Sequence, residues 1–193
     1  MDTAQQISQA VKMLKAGGVI AYPTEHCFGL GCDPQNKTAV ERLLKIKQRK
    51  ADQGLILVAA DLYQVDAYVE FSGSALISTE QKTLIRESWP GANTWLLPVT
   101  SDASKEVTQW VRGKHQSVAM RVSAHQVCMA LCREFSGAVV STSANRHGQP
   151  AHLNAADVAM DMKSELDYII DAPVGGDSRP STIRDGITAD LIR

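Results

Sequence analysis

An α/β domain on a twisted, mixed sheet is the fold class this sequence predicts, and three observations carry it. Amphipathic helical stretches alternate with short Val-, Ile- and Leu-rich runs along the whole chain. Several of those runs lie too close together for a crossover helix, so antiparallel neighbours must accompany parallel ones. The composition, 44% apolar and 21% charged over 193 residues, suits one domain, 1–193, with a sizeable buried core.

The first element is a helix, with Thr3 and Gln6 as a capping-box pair and a stripe of Ile7, Ala10, Val11 and Leu14. Gly17-Gly18 stops it, and Val19–Tyr22 reads as a buried strand. Val40, Leu43, Leu44 and Lys47 fall at helical spacing, and Leu55–Ala59 is a continuous apolar strand. Asp61 caps a short helix carrying Leu62, Val65, Tyr68 and Val69, and Ser78 with Gln81 opens the next. Strands are expected at Thr94–Val99, Ser117–Val122, Ala138–Val140 and Tyr168–Ile170, with shorter ones at 182–184 and 190–192. Helices are expected over Lys105–Val111, within "AHQVCMALCREF" and after the Asn154 cap. Gly175–Ser178 reads as a mobile loop inside the domain.

A formal charge of −1 gives no global basic field for non-specific nucleic-acid binding, so any basic cleft must be local. No apolar run approaches the roughly 18 residues a membrane span needs, and the amphipathic N-terminus is unlike a signal peptide. The cysteines Cys27, Cys32, Cys128 and Cys132 therefore fit a reducing cytoplasm. Cys128 and Cys132 lie one helical turn apart with no second ligand pair, which favours buried thiols over a zinc site.

Three places combine polar groups with the end of an element. In "AYPTEHCFGLGCD", residues 21–33, a hydroxyl, a carboxylate, an imidazole and a thiol follow Pro23 in succession. A base–nucleophile pair of His26 and Cys27 is disfavoured, because neighbours in extended chain point to opposite faces. Lys47, Arg49 and Lys50 sit at a helix C-terminus, which suits either a solvated end or an anion site. Ser141, Thr142, Ser143 and Asn145 follow an apolar strand, the position of ligand crevices in α/β sheets, although an ordinary turn would carry the same residues. The chain has neither a GxxxxGK[ST] phosphate loop nor a GxGxxG fingerprint. A bound nucleotide would have to be held by scattered side chains.

With those segments in view, the chain resembles the YrdC/TsaC family of threonylcarbamoyl-AMP synthases. The resemblance runs through "AYPTE" and "FGLGCD", Lys47-x-Arg49, "GLILVA" (54–59), "WPGANT" (89–94), "VAMRV" (118–122), "STSAN" (141–145) and "PSTIRD" (180–185). Their joint order and spacing is what is specific, and the length matches the short single-domain bacterial form. The resemblance implies a twisted mixed sheet around a concave, positively charged cavity. It implies condensation of L-threonine, bicarbonate or CO2, and ATP with Mg2+ to threonylcarbamoyl-AMP, with release of pyrophosphate. A partner transferase then modifies the tRNA adenosine beside the anticodon.

By the same resemblance Thr24, Arg121, Ser141 and Ser181 surround threonine, with Arg121 suited to its carboxylate. Lys47, Arg49, Ser117, Ser143, Asn145 and Arg193 face the nucleotide, Arg184 is an added candidate, and Lys47 and Arg49 stabilise charge. No protein nucleophile is required, because the substrate carbamate attacks. This chain departs from the family at Arg49-Lys50, where Arg-Pro is common, and at Gln53, where lysine is common. Lys50 is therefore expected to replace the lost charge. Val58 stands near a frequent histidine and Ala151 in place of a serine or threonine. Glu25 is left between a structural anchor and a substrate-side carboxylate, and Cys27 reads as packing. The rival reading is a double-stranded RNA-binding or ribosome-maturation factor using the same cavity; only 5% aromatic content and near-neutral charge weigh against it. A carbamoyl-transfer domain of hydrogenase maturation proteins is a weaker rival, since the zinc-finger segments that accompany it are absent.

Overall fold

The computed structural model of the protein describes residues 1–146 and 148–193. Among them one eight-stranded mixed sheet forms. In chain order the strands are β1 (Ile20–Pro23), β2 (Phe28–Gly31), β3 (Ile56–Ala59), β4 (Asn93–Pro98), β5 (Ser117–Val122), β6 (Val139–Ser143), β7 (Tyr168–Ile169) and β8 (Thr182–Asp185). Their spatial order is β7-β1-β2-β6-β3-β5-β4-β8. The pairs β1–β7, β3–β5 and β4–β8 are parallel and the other four antiparallel; of the antiparallel pairs only β1 and β2 are joined by a short turn. The helices are α1 (Thr3–Lys15), α2 (Lys37–Lys47), α3 (Leu62–Val69), α4 (Thr79–Glu87), α5 (Asp102–Thr108), α6 (Gln126–Phe135) and α7 (Ala155–Met162). None of them is long and apolar enough to cross a membrane.

Several expectations shift. The capping box of α1 uses Asp2 and Gln5, one residue earlier than Thr3 and Gln6, because Asp2 takes the extended N-cap conformation. Helix α5 begins at Asp102, capped by Ser101, and ends before Val111, which is buried in the core. Strand β2 was not expected, and residues 190–192 provide only an isolated bridge, Leu191 to Arg184. Gly175–Ser178 is pinned rather than loose: Gly175 N donates to Thr24 O and Asp177 N to Glu25 O, each at 2.9 Å.

One sheet face is covered broadly, with Leu57, Val118, Met120, Val122 and Val140 in the larger core. Over the other face lie α1 and α6, which bury Ile20, Tyr22, Val58 and Val139 beneath Leu14, Cys128, Leu131 and Cys132. They cover only part of it. The cross-strand row Leu96–Ala119–Ile56–Ser141 continues on that face beyond the helices. All four of these residues line a cavity.

Gly31 is essential to this packing. A Cβ there would lie 2.6 Å from Val140 O and 2.7 Å from the Tyr22 ring, whose hydroxyl donates to Val140 O. Overpacking two central strands is expected to destabilise Gly31→Ala by about 2–4 kcal/mol. Urea denaturation measures this, and a midpoint equal to wild type would show that the sheet yields there.

Candidate active site

The cavity has a volume of about 520 Å³ and is walled by the β1–β2 turn, the uncovered face of β3, β5 and β6, and the segment before β8. Strand alternation selects its residues. In β5, Ser117, Ala119 and Arg121 face the cavity while Val118, Met120 and Val122 enter the core. Thr24, Ser141, Ser143, Arg49, Ser181 and Arg193 complete the predicted members that line it.

Arg121 is buried and anchored from below. Its Nη1 donates to Glu25 Oε2 at 2.9 Å, while Glu25 Oε1 accepts from Ser123 Oγ and Ala124 N, each also at 2.9 Å. Burial by itself would raise the Glu25 carboxyl, but the Arg121 charge and hydrogen bonds from the backbone and Ser123 outweigh it and hold it below 4.5. Glu25 is thus an anchor beneath the cavity, not a side chain lining it. Thr24 Oγ1 donates to Cys27 O at 2.8 Å, so its oxygen remains as an acceptor.

The neighbouring reactive-looking groups are otherwise engaged. Burial pushes the Cys27 thiol up, against the pull of Arg121 and Lys47, so the thiolate is disfavoured. His26 Nδ1 lies 2.8 Å from Asp177 O, which accepts its proton and fixes that tautomer. Cys128 and Cys132 are buried in α6, with the Cys132 thiol donating to Val58 O.

Lys47 behaves as a clamp. Its ammonium donates to Ser143 O at 2.6 Å, to Asn145 O at 2.7 Å and to Asn145 Oδ1, which uses all three protons. Burial and then the Arg49 charge push it down to about 8, yet three accepting oxygens favour the ammonium at neutral pH. Ser143 Oγ donates to the same Asn145 Oδ1 at 2.7 Å, so Lys47, Ser143 and Asn145 form one network. It borders an adjoining hollow of about 170 Å³ shared with Arg49 and Thr142.

Arg49 donates to Gly54 O at 2.8 Å, and burial followed by the Arg193 charge lowers its pKa. Two like charges held together in a cavity mark a place for an anion. Among the described residues, the buried Nε atoms of Arg49 and Arg112 have no partner. Thr142, part of the polar strand end singled out in the sequence, lines the cavity too; Arg112 and His115 line it without having been predicted, and so do its apolar members Ile56, Leu96 and Ala119.

Two predicted nucleotide contacts lie elsewhere. Lys50 is exposed at the start of a 3-10 turn and does not line the cavity, because Gln48 turns the chain in a left-handed conformation before it. Arg184 points to the other side of β8 and donates to Ala189 O at 3.1 Å. Of the departures, Gln53 and Ala151 line the cavity, whereas Val58 is fully buried under α6.

Among the described residues, fixed cations, hydroxyls and an apolar floor line one cavity with no activated side-chain nucleophile beside it, the arrangement of a protein suited to bind a small anionic ligand. The Sua5/YciO/YrdC family, described as "Telomere recombination", matches residues 12–193, and this chain belongs to it. The threonylcarbamoyl-AMP synthase of Stenotrophomonas maltophilia (strain K279a) is 43% identical over 187 residues, covering 97% of each chain. That of Xylella fastidiosa (strain 9a5c) is 42% identical over 193 residues, with both chains fully covered. The crystal structure of P. abyssi Sua5 complexed with L-threonine superposes with a TM-score of 0.82 at 30% identity, over 94% of this chain and 51% of that longer one.

Truncation of Lys47 would strip a charged donor from three oxygens. Lys47→Ala is expected to lose about 2–4 kcal/mol in urea denaturation, and Lys50→Ala to stay within about 0.5 kcal/mol of wild type. Equal effects of the two would contradict the clamp.

Proposed function

We propose that this protein condenses L-threonine, bicarbonate or CO2, and ATP into threonylcarbamoyl-AMP and pyrophosphate, a nucleotidyltransferase reaction. The observation that carries the proposal is the union, in one cavity, of Thr24, anchored Arg121, Ser141 and Ser181 with the paired cations Arg49 and Arg193. Full-length relatives named for this synthesis, and the threonine complex of a structural neighbour, support it.

In this reading the Arg121 guanidinium receives the threonine carboxylate, and Thr24 and Ser141 accompany the rest of the amino acid. Ser181 stands 3.0 Å from the Thr94 hydroxyl, which fixes its orientation at the same wall. The neutral amine forms an N–C bond with CO2 and gives up a proton to water. A carbamate oxygen then forms a bond to the α-phosphorus, and the bond from that phosphorus to the bridging β-phosphate oxygen breaks as pyrophosphate leaves with the oxygen. Ser117, Ser143, Arg49 and Arg193 face the nucleotide. Lys47 and Asn145 serve it by shaping the hollow beside Ser143.

Mg2+ belongs to the proposal as companion of the triphosphate. Among the described residues no Asp or Glu side chain lines the cavity; hydroxyls and cations do, a set suited to an ion carried largely on phosphate oxygens and water. Bound there, it would share the neutralisation of phosphate charge. The product passes, in this proposal, to a transferase acting on tRNA.

The test is pyrophosphate release from Mg2+, ATP, bicarbonate and threonine. Release is expected to require threonine and to fail with valine, which leaves hydroxyl partners unpaired. Arg121→Ala is expected to raise the threonine KM more than about tenfold, with the ATP KM within about threefold. Threonine-independent release, or collapse of ATP use alone, would overturn the reading.

A further inference from the structure

We infer that Glu25 is a positioning residue for amino-acid recognition: its carboxylate fixes the Arg121 guanidinium so that the remaining N–H donors face the cavity. The inference rests on the proposed function, since it assigns Arg121 to the substrate carboxylate.

The geometry separates Glu25 from an acid or base. Its two oxygens are both engaged, Oε2 by Arg121 Nη1 and Oε1 by Ser123 Oγ and Ala124 N, and the side chain does not line the cavity where a substrate proton would lie. It is buried beneath the cavity, whereas Arg121 lines it. One nitrogen of the guanidinium is committed to Glu25. The fork is thereby held in one orientation, and the other donors stay available for a planar anion.

Three separate parts of the chain hold Glu25 in turn. Ser123 N donates to Ala59 O at 3.1 Å, and Ser123 Oγ accepts from His125 N at 3.1 Å at the entry to α6. The strap at residues 175–177 lies against the other side: Asp177 N donates to Glu25 O at 2.9 Å. A Cβ on Gly175 would stand only 2.9 Å from Glu25 Cα, so the strap needs glycine to close this tightly. The same strap leads on to Pro180 and Ser181 in the cavity wall. Glu25 thus links the β1–β2 turn, the end of β5 and the strap at the guanidinium.

Charge and shape both matter in this arrangement. A glutamine at this position has one accepting oxygen and one NH2 group. Whichever way it is turned, a donor faces either Arg121 or the Ser123–Ala124 pair. Arg121 would then be buried beside a donor and would leave its orientation.

The test is steady-state pyrophosphate release with threonine and ATP varied in turn, for wild type, Glu25→Gln and Ser123→Ala. Glu25→Gln is expected to raise the threonine KM by about tenfold or more while the ATP KM stays within about twofold. Ser123→Ala keeps both charges and loosens one contact, so a rise of about two- to fivefold is expected. A folded Glu25→Gln protein with wild-type or tighter threonine KM overturns the inference, and so does an equal loss of threonine and ATP use, the mark of a merely structural residue. A fall in kcat with unchanged threonine KM also overturns it, in favour of proton transfer by Glu25. Should Glu25→Gln fail to fold, a wild-type threonine KM in Ser123→Ala overturns it instead. An inactive wild type would sink the proposed function itself, a result distinct from active enzyme with indifferent variants.

Discussion

Incomplete coverage of one sheet face is the constraint on which the site depends. Helices α1 and α6 bury Ile20, Tyr22, Val58 and Val139 and then end, leaving the row Leu96–Ala119–Ile56–Ser141 without a covering element. A sheet face in a domain this size would ordinarily be packed or solvated. Here the β1–β2 turn, the segment before β8 and the chain after α2 rise around it, and the uncovered strip becomes a walled cavity. Arg121, in register with Val58, sits where the covered and uncovered parts meet.

That boundary explains the electrostatics. Each cation near the cavity is satisfied in a different way. Arg121 has a buried carboxylate partner, Lys47 has three oxygens of Ser143 and Asn145 at the end of β6, and Arg49 donates to Gly54 O while the nearby Arg193 charge lowers its pKa. Lys47 is held as a scaffolding charge, whereas Arg121 is anchored and still lines the cavity. The arginine pair carries the uncompensated field, which is where a polyanion gains most from binding.

Much of this was legible in the sequence. The alternation in "SVAMRV" separates Ser117 and Arg121 from the core residues between them, and the polar end of β6 follows directly from "VVSTSAN". Strand β2 escaped notice because "FGLG" carries two glycines, which have poor strand propensity, although Gly31 is required by the closeness of Tyr22 and Val140. Arg112 and His115 lie in a polar turn with no periodic signal. Their place in the cavity is set by long-range contact: Gly113, in a left-handed conformation, packs against the backbone of Asp52. Lys50 looked like a phosphate ligand from its neighbours in sequence, but direction along the chain after a helix end is fixed by backbone dihedrals rather than by composition.

The central claim is that threonine and nucleotide occupy one cavity side by side, brought together by the protein without a covalent intermediate. Isothermal titration of threonine into protein saturated with a non-hydrolysable ATP analogue and Mg2+ tests this most directly. The account predicts one threonine bound per chain in the presence of the analogue, with affinity at least as high as in its absence. Mutual exclusion of the two ligands would contradict it.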